Sequence, residues 1–274
     1  MKPQTRLPPL ADRLSERDVR ILEDLEHFRL LTTRQIQRLH FPARPLGAHV
    51  TASGATRGTT RVLSRLEQHG AIARLSRRIG GVKHGSAVTI WQLGAAGERV
   101  LHARSGRERR RRFEEPSGGF TRHAVAVADI AVLLRERASF GTFELLALNA
   151  EPSCWRTFTS VGNSVVTLKP DLHVVTADPT TETHSFVEVD LGTEHLPAVL
   201  RKCHTYQRYF ASGVEQQHDG IFPAVVWIFQ SPRRAEAVRT AIANEGGLDA
   251  GLFWTITTEE ALDQLAPYGR PTTT

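Results

Sequence analysis

With 274 residues, 40% of them hydrophobic and 23% charged, the chain is long enough for two domains that each bury a core. No run approaches the ~18 apolar residues of a bilayer span. The start Met1-Lys2-Pro3-Gln4 lacks the apolar stretch of a signal peptide, and the two cysteines, Cys154 and Cys203, form no Cys-x-x-Cys pair, so a cytoplasmic protein with buried thiols and no membrane contact is expected. The net charge of +6 hides an asymmetry. Residues 1–112 hold 23 Lys and Arg against 9 Asp and Glu, whereas the remainder hold 12 against 20, giving +14 and −8. The first part suits a polyanion; the second suits an acidic, cation-requiring domain.

In chain order, Ser15-Glu16-Arg17-Asp18 opens a helix, with a capping serine, acids in the first turn, and Val19, Ile21, Leu22, Leu25 and Phe28 at helical spacing. Thr32-Thr33 caps a second short helix that buries Ile36, Leu39 and Phe41 and stops at Pro42. After a loop rich in Gly, Ala, Pro and Thr, the pattern predicts a third helix from about Thr59 to His69, ended by Gly70. Val62, Leu63 and Leu66 then share one side, and Arg61, Ser64, Arg65 and Gln68 the other. A solvated helix face would carry similar residues, but these also offer cations for phosphate or guanine and an amide for adenine. The stretches 71–75 and 87–93 read as a hairpin with a basic tip carrying Arg77, Arg78 and Lys83. Three helices and a hairpin are the order of a winged helix-turn-helix, placed at residues 12–103. A closing helix around residues 93–101 is a place for a homodimer contact.

A basic linker follows over residues 104–119, and a second domain over 120–266. Its predicted elements are a helix (121–138), three strands (143–148, 168–177 and 185–190), a helix (194–211), a strand (223–229), a helix (233–243) and a last strand (252–256). This is an α/β (α+β) arrangement in the order of the restriction-nuclease-like αβββαβ core. Pro170-Asp171 and Glu188-Val189-Asp190 stand on strands expected to be neighbours, so Asp171 and Glu188 are candidate ligands for Mg²⁺ or Mn²⁺. Nucleases of this kind often carry a lysine where this chain has Asp190. Lys202, beside Arg201 on the following helix, is the cation that could replace it, giving Asp171, Glu188, Asp190 and Lys202 as candidate catalytic residues. Tyr206 is placed to hold that lysine or meet a phosphate, and Glu151 and His123 are weaker candidates.

Together the two halves resemble the replication-relaxation proteins of plasmids and integrative elements. The resemblance rests on Leu31-Thr32-Thr33-Arg34-Gln35-Ile36, Val62-Leu63-Ser64-Arg65-Leu66 with Gly70, Trp91-Gln92-Leu93 with Gly97, His123, Lys169-Pro170-Asp171, Lys202 with Tyr206, and above all Glu188-Val189-Asp190-Leu191-Gly192-Thr193-Glu194. It implies a winged helix ahead of a nuclease-like domain, binding to double-stranded DNA, and work in replication, relaxation or transfer beside other proteins of those processes. It also implies that Asp190 is ordinary for the family, which leaves catalysis open. Three activities compete: a DNA-binding protein of a mobile element, a winged-helix transcriptional regulator among them; a metal-dependent nickase or endonuclease using Asp171 and Glu188; and a relaxase or topoisomerase with Tyr206 or Tyr209 as nucleophile. No two of the 12 histidines are two positions apart, which excludes the usual metal triplet of histidine relaxases. A Gly-x-x-x-x-Gly-Lys loop, a His-Glu-x-x-His motif and a Gly-x-Ser-x-Gly elbow are likewise missing from the sequence.

Overall fold

The computed structural model describes residues 10–75, 88–106, 116–160 and 162–266, and its contacts divide the chain into two units, Met1–Val132 and Leu133–Thr274. The division falls inside one long helix.

Capping fixes the first helices. Helix α1 (Glu16–Phe28) starts on a reciprocal capping box in which the Asp18 amide donates to Ser15 Oγ at 3.2 Å and the Ser15 amide donates to Asp18 Oδ2 at 2.8 Å. Strand β1 (Leu30–Thr32) runs into α2 (Thr33–His40), whose box joins Thr32 to Gln35 at 2.8 and 3.1 Å. Helix α3 spans Ala52–Gln68, so it begins seven residues before the expected Thr59. Its cap is Thr51, whose Oγ1 accepts from the Gly54 amide at 3.1 Å. Ala55, Thr59, Leu63 and Leu66 bury one stripe of it.

Strands β2 (Ile72–Arg74) and β3 (Ile90–Leu93) pair antiparallel, and β1 closes on the other side of β3, giving the order β1-β3-β2. The sequence pattern missed β1 because it is three residues long and buried throughout, without the alternation that marks a strand. Helix α4 (Ala95–Ser105) follows the sheet. It passes so close to Ala71 that a Cβ at Gly97 would lie 2.3 Å from the Ala71 carbonyl oxygen, which makes glycine obligatory there. Helix α5 (Gly118–Ala138) packs the start of its length on this unit: Phe120, Ala124 and Val125 lie against Leu30, Leu75 and Ile90. Buried Gln35 donates to the Val125 carbonyl at 2.9 Å and to Asp129 Oδ1 at 2.8 Å.

In the second unit, β4 (Glu144–Ala150), β7 (Leu172–Ala177), β8 (Glu182–Asp190), β9 (Ala224–Phe229) and β10 (Phe253–Thr257) form a mixed five-stranded sheet in the order β10-β9-β8-β7-β4. The β4, β7 and β8 neighbours are antiparallel, while β8, β9 and β10 run parallel. Parallel neighbours need a crossover. The β8–β9 crossover is made by α6 (Leu196–Ser212) with the short α7 (Val214–Asp219), and the β9–β10 crossover by α8 (Pro232–Asn244); α9 (Ala261–Leu265) follows β10.

The single strand expected over 168–177 is two strands. Pro170 has no amide to donate, and the chain turns there: β6 (Val165–Leu168) pairs with β5 (Arg156–Thr159) in a separate hairpin, and β7 enters the large sheet. Beneath α6 lies a cluster including Phe186, Trp227, Phe229, Cys203, Tyr206 and Tyr209, each at most 2% exposed. Burying an aromatic or large aliphatic side chain this fully stabilises by roughly 1.5–3 kcal/mol before entropy is charged against it.

Candidate functional site

On α3, Ser53, Thr56, Arg57, Thr60, Arg61 and Gln68 are exposed and Ser64 is half-buried, all off the buried stripe. Thr56 and Thr60 donate back to the carbonyls of Ala52 and Thr56 at 3.0 Å, which holds both hydroxyls against the helix. The helix carries no acid before Glu67, and Glu67 is taken by Arg74 at 2.8 Å. Of the four residues expected to face outward, Arg61, Ser64 and Gln68 do so. Arg65 differs, because its guanidinium is drawn to Asp18, a carboxylate only 1% exposed that also completes the α1 capping box. The early start of the helix adds Ser53, Thr56, Arg57 and Thr60, which the sequence pattern left in a loop. Arg34, at the start of α2, is also exposed. Arg77, Arg78 and Lys83 lie outside the described residues, as does the arginine-rich stretch 107–115.

The second cluster is built by strand alternation. Leu172 pairs with Val187 and His173 with Phe186, so Asp171, just before β7, stands beside Glu188 on the sheet face that α6 covers. Asp171 is 6% exposed, and its Oδ2 accepts from the Val189 amide at 2.8 Å. Glu188 is 1% exposed and receives a donor on each oxygen: the Tyr206 hydroxyl donates to Oε1 at 2.5 Å, and the Lys202 ammonium donates to Oε2. Tyr206 and Lys202 are four residues apart on α6, one helical turn, and so present both groups to one carboxylate. Asp171, Glu188, Lys202 and Tyr206 therefore converge.

Asp190 shares the strand face but not the cluster. Its Oδ2 accepts from Arg234 Nε and Nη2 at 3.2 and 2.9 Å, while Arg234 also donates to the Glu194 carbonyl at 2.6 Å. The Gly192 amide donates to Asp190 Oδ1, and Gly192 has φ 78°, a conformation open to glycine at little cost. Asp190 thus fastens the turn that leads from β8 to α6. Arg201 is exposed. Glu151 accepts from the indole of Trp155 at 3.3 Å, and His123 lies on α5 in the first unit.

Burial sets the charges. It pushes the Glu188 carboxyl up to about 8, Asp171 adds to the push, and Lys202 and Tyr206 oppose it. Burial would lower Lys202, but the Glu188 and Asp171 carboxylates outweigh it and hold its pKa above the ordinary value. Cys154 and Cys203 are both buried and pushed up to about 12, by burial first and by nearby carboxylates, so neither is a thiolate nucleophile. A tyrosine nucleophile is also contradicted. Tyr206 is 0% and Tyr209 1% exposed, and each hydroxyl is engaged, by Glu188 and by Glu215, so no phosphodiester can reach either without unpacking α6.

A divalent ion of the Mg²⁺ type takes six oxygen ligands whose lone pairs face the metal. The residues present do not fit one. Both Glu188 oxygens already accept hydrogen bonds, Asp190 is bound by Arg234, and among the described residues no group of three or more His, Cys, Asp or Glu is placed to hold a metal.

The relation to known proteins follows from both units together. A replication-relaxation family profile matches residues 22–225, which run from α1 through the carboxylate cluster to the start of β9. The chain belongs to the replication-relaxation family. Comparison with curated proteins and with solved structures returned no match. Family membership points to a role in the replication or relaxation of mobile elements, with DNA and replication-related partners. Within this family member, no helix among the described residues is long and apolar enough to cross a membrane.

Proposed function

We propose that the chain is a double-stranded-DNA-binding protein of a plasmid or other mobile element, acting in the cytoplasm in replication, relaxation or transfer. The first unit is read as a winged helix-turn-helix and the second as a restriction-nuclease-like core. One observation carries the reading: α3 presents Ser53, Thr56, Arg57, Thr60, Arg61 and Ser64 away from its buried stripe, with no acid among them. A major groove admits one helix, and it offers guanine to arginine and phosphates to hydroxyls and cations. The element order α1-β1-α2-α3-β2-β3 and the three-stranded antiparallel sheet support the winged-helix assignment. The mixed sheet with crossover helices supports the second.

Fluorescence anisotropy with duplexes tiled across the element that encodes the protein tests this. The expected result is one preferred duplex whose affinity falls steeply with salt, as displaced counterions require. A footprint with two-fold symmetric half-sites would extend the reading to a homodimer. Binding that ignores both salt and sequence would remove the DNA-binding reading altogether.

A further inference from the structure

Unit two contains a cation of its own at the place where a nuclease-like core would be expected to hold a metal. Lys202 reaches Glu188 from α6, and its side chain is 29% exposed while that of Glu188 is 2% exposed. The ammonium lies 5.9 Å from the centre of the Trp227 ring, whose face also attracts a cation. Tyr206 fills the other Glu188 oxygen, the Val189 amide holds Asp171, and Arg234 draws Asp190 aside. The carboxylates on this face are thus met by protein donors. A buried carboxylate without a partner would be costly, so a fixed internal cation is one way to keep such a face folded without metal.

We propose that the Lys202 ammonium is a built-in substitute for the divalent cation at Asp171 and Glu188. The wild-type site then takes neither Mg²⁺ nor Mn²⁺, and removing the ammonium uncovers a site for one. This goes beyond the DNA-binding reading and does not depend on it, since the first unit can bind DNA whichever way the metal result falls.

The test is a Mn²⁺ titration of the full chain, followed by the electron paramagnetic resonance of free Mn²⁺. It is run on wild type, Lys202→Met, and Lys202→Met combined with Glu188→Gln. Methionine keeps the length and apolar stem of the side chain but no charge. Wild type should show no saturable site that Glu188→Gln or Asp171→Asn removes. Lys202→Met should gain one Mn²⁺ equivalent, bound at least about tenfold tighter than by wild type and lost again in the double variant. A wild-type Mn²⁺ site abolished by Glu188→Gln or Asp171→Asn overturns the proposal, as does Mn²⁺-dependent nicking of supercoiled plasmid abolished by the same substitutions. A Lys202→Met protein that folds by circular dichroism yet gains no Mn²⁺ also overturns it. If Lys202→Met does not fold, Lys202→Gln takes its place: a Glu188-dependent Mn²⁺ site gained over wild type supports the substitute cation, and a folded Lys202→Gln without one overturns it.

Discussion

In the first unit Arg34, Arg57 and Arg61 stand in solvent on helices that bury their other sides, whereas in the second Asp171, Glu188 and Asp190 are withdrawn from solvent and met by protein donors. The same kind of group therefore does different work in the two places. An exposed arginine adds little to stability because water and salt already screen it, and it remains available to a phosphate. A buried carboxylate has lost its water, so its partner decides whether the fold tolerates it. Charge in the first unit should register in binding and charge in the second in stability.

The largest effect should come from removing the buried cation. Above pH 8, where Glu188 is ionised, Lys202→Ala leaves it facing only Tyr206, and breaking such a pair costs about 3 kcal/mol, the lower end of the usual range because the lysine is partly exposed. Urea denaturation followed by tryptophan fluorescence would measure it, and Lys202→Ala with Glu188→Gln should recover part of the loss. A loss under about 1 kcal/mol would mean that the pair behaves as a surface ion pair and that the contrast between the units is wrong.

Next in size is the reciprocal test. Arg57→Ala with Arg61→Ala should weaken binding to the preferred duplex by roughly tenfold to a hundredfold and flatten its salt dependence, since each cation lost releases fewer counterions. The urea midpoint should stay where it is. Equal losses of stability and affinity would place these arginines in the fold and not on the DNA.

Acid–base behaviour sharpens the same contrast. Glu188 is raised from 4.5 to about 8 in the folded protein, so the native state holds an extra proton between those values and its stability falls as pH rises through them. His173 works in the opposite sense: burial first, then Arg156, lowers it from 6.5 to about 4, so the native state holds fewer protons there and stability rises across that window. The two oppose each other up to pH 6.5, and above it only the Glu188 slope remains. Between pH 6.5 and 8 stability should fall by at most about 2 kcal/mol, and Glu188→Gln should remove that fall. A slope that persists in Glu188→Gln must come from another group.

The sequence reveals some of this and conceals the rest for physical reasons. Helix α1 is legible because Ser15 and Asp18 form a local box, and Glu188 stands out because a carboxylate lies within an apolar strand. The start of α3 is concealed because Gly54 and Gly58 each weaken a helix by about 1 kcal/mol relative to alanine. Tertiary packing overrides that cost: Ala55 and Thr59 are fully buried, and a Cβ at Gly58 would lie 3.1 Å from the His49 ring. The break between β6 and β7 is marked only by Pro170, inside a run that otherwise reads as one strand. Lys202 could be anticipated as a nearby cation on the next helix. Arg234 could not, because it meets Asp190 from 44 residues away and its own surroundings, Pro232-Arg233-Arg234, resemble any exposed helix start. Residues that meet across such distances leave no periodic trace.

Arg65 gives the smallest and most discriminating effect, because it belongs to α3, the helix proposed to face DNA, but is drawn inward. Its side chain is 44% exposed, yet the guanidinium is committed to Asp18, which is itself buried and holds the start of α1. Spacing alone makes Arg65 equivalent to Arg61; the partner makes it a structural residue. Arg65→Ala should therefore cost about 1 kcal/mol of stability, since Asp18 keeps its bonds to Ser15 and loses only the charge-assisted one. Its effect on duplex affinity should be less than about twofold, against a clearly larger one for Arg61→Ala under identical salt. If Arg65→Ala weakens binding as much as Arg61→Ala while leaving the urea midpoint unchanged, the guanidinium must leave Asp18 for the DNA. In that case an ion pair with a buried acid does not by itself keep a first-unit arginine from the phosphate.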